Sequence, residues 1–226
     1  MPTSPSEGRF ARLPNKWIYD DGLRAFSATA RSRGVAGAAL KVLIALLLKA
    51  ENKSVASAGP GQGTASPTYS QLEDLTGLSK ASISAAVKRL AERGLVTISQ
   101  EGQGGRNRYH LRDYGADDTF GRMSVSRLFG GPNTERCRFL TELSVRNEAD
   151  VNALKLYLLF CAVYDRKRQG ALISYNTIWQ MTGIVEGKIR RALSVLYEHG
   201  LVRVTTPEAA AIEGQNPPNL YKVLGI

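Results

Sequence analysis

Thr68-Tyr69-Ser70-Gln71-Leu72-Glu73-Asp74-Leu75-Thr76-Gly77-Leu78-Ser79, continued by Lys80-Ala81-Ser82-Ile83-Ser84-Ala85-Ala86-Val87-Lys88-Arg89-Leu90-Ala91-Glu92-Arg93-Gly94-Leu95-Val96, carries the start and stop signals of two consecutive helices. Thr68 with Gln71 three places on predicts a capping box, in which hydroxyl and amide each satisfy an orphan donor of the first turn. Leu72 and Leu75 share one face, and Gly77 ends the helix because glycine takes the left-handed conformation without a Cβ penalty. Ser79 then caps a second helix, whose apolar residues Ile83, Val87 and Leu90 fall at i, i+4 and i+7. With Gly94 at C′, Leu95 and Leu90 form the hydrophobic pair of a Schellman ending.

Two short helices around a glycine turn predict a helix-turn-helix. Leu95 to Ser99 reads as a strand, Gly102 to Gly105 as a turn and Arg108 to Leu111 as the returning strand, so a wing follows. On Leu75-Thr76-Gly77-Leu78-Ser79, then Ile83, Val87 and Leu90, then Gly94-Leu95-Val96, then Asn107-Arg108-Tyr109-His110-Leu111, the chain resembles the winged helix-turn-helix of bacterial DNA-binding proteins. It is similar to MarR-like regulators and to the amino-terminal domains of plasmid and phage replication initiators. The resemblance implies a mainly α fold with small β-wings (α+β), in a protein of a bacterium or its mobile element whose partner is double-stranded DNA.

At 226 residues the chain has room for two small domains. Its formal charge of +10 and pI of 9.8 favour a polyanionic partner through phosphate contacts and counterion release. Cys137 and Cys161 are too far apart for a CxxC pair, and the histidines are His110 and His199, so no metal site is readable and no cofactor is expected. Isolated cysteines fit a reducing compartment. Ala38 to Ala50 is apolar but short and carries Lys41 and Lys49, which makes it a core helix rather than a membrane span. The expected location is the cytoplasm, on the nucleoid, with no membrane partner.

Residues 1–9 read as a disordered tail. Phe10 to Phe26 is expected to pack onto the first domain. Gly59-Pro60-Gly61-Gln62-Gly63-Thr64 lacks the lysine and the strand-loop-helix context of a phosphate loop and reads as a linker. The same grammar then returns. Ala153-Leu154-Lys155-Leu156 repeats Ala39-Leu40-Lys41-Val42, and Tyr175 through Val204 aligns with Tyr69 through Ile98 without a gap. Phe120 and Phe139 answer Phe10 and Phe26. The expectation is two tandem winged helix-turn-helix domains, 10–115 as the principal reader and 116–226 as a second reader or an assembly surface.

In the first unit Ala81, Ala85 and Lys88 point away from the buried side, flanked by Ser82, Ser84 and Arg89. Small residues let the helix approach base edges: Ser82 and Ser84 for hydrogen bonds, Ala85 for a thymine methyl, Lys88 and Arg89 for phosphates. Lys80 joins this basic set. Thr68, Tyr69 and Ser70, at a capped helix start, offer free N–H groups to a phosphate. Arg106 and Arg108 flank the wing tip. In the second unit Val185 replaces the cap Ser79, yet Lys188, Arg190 and Arg191 crowd the outward face, and Arg191 suits guanine. Its wing, Thr205 to Asn219, has no basic residue.

The function expected is sequence-specific DNA binding by a replication initiator or a transcriptional regulator, alone or as a homodimer. The alternative is a protein-interaction module in a chromosome-organising or plasmid-maintenance complex. No enzyme is expected: Asp20-Asp21 and Asp117-Asp118 stand in loops without a histidine or metal-ligand spacing nearby.

Overall fold

The computed structural model describes residues 10–51, 63–100, 106–114, 120–130, 136–205 and 218–226. Strand Phe10–Pro14 (β1) leads through helix Lys16–Tyr19 (α1) and a 3₁₀ turn, Gly22–Ala25, into the long helix Arg33–Lys49 (α2). Thr64–Ala65 (β2), Tyr69–Thr76 (α3), Lys80–Glu92 (α4), Val96–Gln100 (β3) and Asn107–Leu111 (β4) complete the first half. The second half runs Phe120–Ser124 (β5), Val125–Phe129 (α5), Arg138–Glu142 (α6), Glu148–Ala162 (α7), Ala171–Ile173 (β6), Tyr175–Thr182 (α8), Glu186–Glu198 (α9), Val202–Thr205 (β7) and Asn219–Val223 (β8). The fold is mixed α and β, with small antiparallel sheets.

Helix α3 starts in the expected capping box: Thr68 Oγ1 accepts from the Gln71 N–H at 3.2 Å, and Gln71 Oε1 accepts from the Thr68 N–H at 2.9 Å. It ends at Gly77 with φ of 67°, a left-handed turn that a side chain would strain. Ser79 caps α4 by accepting from the Ser82 N–H. The Schellman ending forms as read, with the Leu95 N–H donating to Leu90 O at 3.0 Å and the Gly94 N–H to Ala91 O at 2.9 Å. The scaffold helix begins at Arg33, earlier than its apolar run, and α2 is buried on every side from Ala36 to Leu47. Helix α7 is buried likewise from Val151 to Ala162. All-round burial matches sequences apolar on all faces.

Each wing carries a third strand that the alternation had not revealed, because two or three residues are too short to show a period. The orders are β2-β4-β3 and β6-β8-β7, each returning strand lying in the middle. Tyr109 and Tyr221, fully buried on those middle strands, anchor the sheets to the core. The tail, the 59–62 part of the linker, the Gly102–Gly105 tip, Asp117-Asp118 and most of the second wing lie outside the described residues.

The lead-in segment is where the expectation fails. Phe10 to Phe26 does not pack on the first half alone: β1 pairs antiparallel with β5, Arg12 facing Arg122. Asn15 Nδ2 donates to Ala162 O at 3.2 Å, and Asn15 Oδ1 accepts from the Gly121 N–H at 2.7 Å. The 3₁₀ turn packs on α8, while α6 packs on α3. Each half therefore lends its first segment to the other, and a single hydrophobic cluster runs through both. Strand pairing and burial between segments more than a hundred residues apart leave no local trace in composition.

Candidate nucleic-acid interface

Helix α4 presents an outward face built as its spacing predicts. Ile83, Ala86, Val87 and Leu90 are buried, and Lys80, Ala81, Ser84, Ala85 and Lys88 are exposed. Ser82 and Arg89 are half-buried at its borders. Lys80 lies 3.9 Å from Glu73 and Arg89 3.7 Å from Glu92, pairs at the surface that exchange readily for another anion. Lys88 is exposed and forms no ion pair among the described residues.

Thr68 and Tyr69 are half-buried and Ser70 is exposed at the start of α3. The Thr68 hydroxyl is committed to its cap, so the contribution of this corner to an anion is the remaining first-turn N–H groups. Arg106 is exposed just before β4, and Arg108, within β4, is half-buried opposite Ser99. One feature was not legible in the sequence. An open groove of about 540 Å³ separates α4 from the start of α2, and Arg31, Ser32 and Val35 line it opposite Ala85, Lys88 and Arg89. Arg31 thus adds a cation beside Lys88, a proximity that only the packing of α2 on α4 creates.

The corresponding surface of α9 differs. Arg190 and Arg191 are exposed as expected. Lys188 is exposed too, but its Nζ lies 2.6 Å from Glu148 Oε1 at the start of α7, which spends its charge inside the chain. Val185 makes no side-chain cap and is 49% exposed; Trp179, on α8, is 45% exposed. Arg24 donates to Trp179 O and Gln180 O at the end of α8.

Two buried lysines hold the turns that follow α3 and α8. Lys41 Nζ donates to Thr76 O and Leu143 O, and Lys155 Nζ donates to Thr182 O. Burial lowers each pKa to about 8; for Lys41 the charges of Asp150 and Cys137 oppose this shift, and for Lys155 Arg24 adds to it. Beneath them Thr76 Oγ1 donates to Leu72 O and Thr182 Oγ1 to Ile178 O, so the two turns are wired alike. The repeated lysine was visible as a repeat; its partners were not.

Residues 58–106 match the sequence model of the MarR family. That segment spans the approach to α3, both helices of the first corner and the outgoing strand of its wing. At the level of the family the match supports a DNA-binding transcriptional regulator with a winged helix-turn-helix, and members of the family are regulators rather than enzymes. No curated protein and no solved structure matches the chain. Among the described residues no helix is long and apolar enough to cross a membrane.

Proposed function

We propose that the chain is a sequence-specific double-stranded DNA-binding regulator that reads a major groove with α4. The observation that carries this is the outward face of that helix: Ala81, Ser84 and Ala85 are small and exposed, Lys88 is exposed and unpaired among the described residues, and both ends are fixed by side-chain and backbone caps. Small residues allow close approach to base edges, Ser84 can hydrogen-bond to a base, and Lys88, Arg31 and Arg106 would serve the phosphates that flank the groove. Ser82, at the border of this face, would make a shorter-range contact.

The second half is read as a duplicate of the first. The shared order of helices and strands, the lysine-to-carbonyl pairs and the antiparallel facing of Arg12 and its counterpart Arg122 support two winged-helix units related by a local two-fold axis, 10–115 and 116–226. Such a chain would present α4 and α9 to neighbouring major-groove segments as a dimer of single units would. The MarR match favours transcriptional regulation; replication initiation uses the same chemistry and differs in the DNA context.

A protein-docking role for the second unit is favoured by one observation. Trp179 and Val185 are exposed at the corner where the first unit carries Glu73 and Ser79. Selection from random duplex DNA, followed by a salt titration of the winner, tests the whole reading. A selected motif with two half-sites supports two readers, and a single half-site assigns the second unit to protein. Failure to bind any duplex at low ionic strength overturns the proposal.

A further inference from the structure

The two-stranded ribbon of β1 and β5 brings two arginines together, with no carboxylate paired to either among the described residues. Arg12 and Arg122 are directly opposed across the strands. Arg12 Cζ lies 4.4 Å from the centroid of Phe120, Arg122 Cζ 4.3 Å from that of Phe10, and the two rings stack at 5.9 Å. Each arginine thus covers the phenylalanine of the other strand. Arg12 is 9% exposed, its Nε has no hydrogen-bond partner, and the hydroxyl of Tyr114 beside it is also buried without one.

No carboxylate answers these charges among the described residues. Burial first, and then the neighbouring charges of Arg166 and Arg12, lower the Arg122 pKa, which Tyr164 opposes. Asp165 pairs with Arg168 at 3.9 Å and Asp113 with Arg112 at 3.5 Å, and the acids nearest to Arg12 and Arg122 in sequence, Glu7, Asp117 and Asp118, lie outside the described residues. Like charges directly across a strand pair are destabilising, and a largely buried guanidinium without a counter-charge costs more. Stacking on phenylalanine offsets only part of this.

We infer that the ribbon is a binding site for a small multivalent oxyanion of the phosphate class, held by Arg12, Arg122 and Arg166 with the Tyr114 hydroxyl donating. Guanidinium forks match phosphate oxygens in pairs, and cations from both strands favour a ligand with charge on two sides. The DNA backbone is the wrong source of that phosphate. The ribbon sits at the C-terminal end of α7, where Asn15 meets Ala162, whereas Lys188 of α9 reaches the opposite end of α7 at Glu148. Fifteen helical residues separate those ends by about 22 Å. An anion there would instead tie the first half to the second.

Pyrophosphate, titrated into the full-length protein at constant ionic strength with chloride as the balancing ion, provides the test, followed by thermal unfolding and calorimetry. The expected result is a rise in the melting midpoint of the wild type and saturable binding, weakened about tenfold or more in Arg122→Gln and in Arg166→Gln. Without pyrophosphate Arg122→Gln should melt no lower than the wild type, because repulsion from Arg12 is relieved; a lower midpoint would mean that Arg122 is a structural stack only and would overturn the site. Absence of a shift in the wild type, or an equal shift in both variants, would also overturn it. So would a loss of duplex affinity in Arg122→Gln measured in phosphate-free buffer, which would make the ribbon part of the DNA surface.

Discussion

Lys41 Nζ lies 3.1 Å from Thr76 O, the last carbonyl of α3, and reaches Leu143 O of the other half at 2.5 Å. A buried ammonium at a helix C-terminus meets the negative end of the dipole and satisfies carbonyls that have no intrahelical donor. Through this one side chain the scaffold helix sets the height of the first helix-turn-helix corner and joins it to the second half. Lys155 repeats the device at Thr182.

These lysines make a pH signature. Their folded pKa values, about 8, lie below the unfolded value near 10.5, so between those limits the unfolded chain binds more protons. Stability from this source therefore rises with pH from about 8 to about 10.5 and is lost as pH falls through 8, by on the order of 1 kcal/mol per site per pH unit inside the window. Burial pushes the Cys137 thiol up to about 12, which acts in the opposite direction above pH 9. Denaturant unfolding of the wild type against the Lys41→Met/Lys155→Met variant isolates the lysines: the stability gap between them should move in favour of the wild type from pH 8 to pH 10. A gap independent of pH would show that neither lysine is perturbed.

On DNA, Lys88→Ala and Arg106→Ala should weaken binding to all sequences and each reduce the salt slope by about one. Ser84→Ala and Arg191→Ala should instead alter base preference with little change in salt dependence. Fluorescence anisotropy over a salt series, on the selected site and on scrambled duplex, separates the two classes. Four silent variants would place the DNA surface elsewhere.

Helices α4 and α9 should respond oppositely to cap changes. Ser79→Ala removes the acceptor for the Ser82 N–H and should cost about 1 kcal/mol. Val185→Ser supplies an acceptor that α9 lacks and, because Val185 is half exposed, gives up little packing; a gain of about 0.5–1 kcal/mol is expected. Chemical denaturation midpoints check both, and a loss of stability in Val185→Ser would mean that this valine is packed.

Cutting the chain near residue 115 should not yield two folded pieces. A fragment of residues 10–115 leaves β1 without β5, Asn15 without Ala162 and Lys41 without Leu143. Circular dichroism during urea unfolding should show one cooperative transition for the whole chain and a broad, weak one for the fragment. Two separate transitions in the whole chain would contradict the interlock.

Local signals were enough for the first corner and its repeat. Thr68, Gln71, Gly77, Ser79 and Gly94 act within a few residues of themselves, so their caps and turns were legible as text, and the 3.6-residue spacing of Ile83, Val87 and Leu90 stated which side of α4 would be left exposed. The absent cap at Val185 was equally plain. The tertiary structure alone decided that Arg12 faces Arg122, that Arg24 closes on α8, that Lys188 is spent on Glu148 and that Arg31 stands opposite Lys88. Those relationships join residues 40 to 156 positions apart, where a side chain's partner is chosen by the packing of whole elements and leaves no periodicity to read.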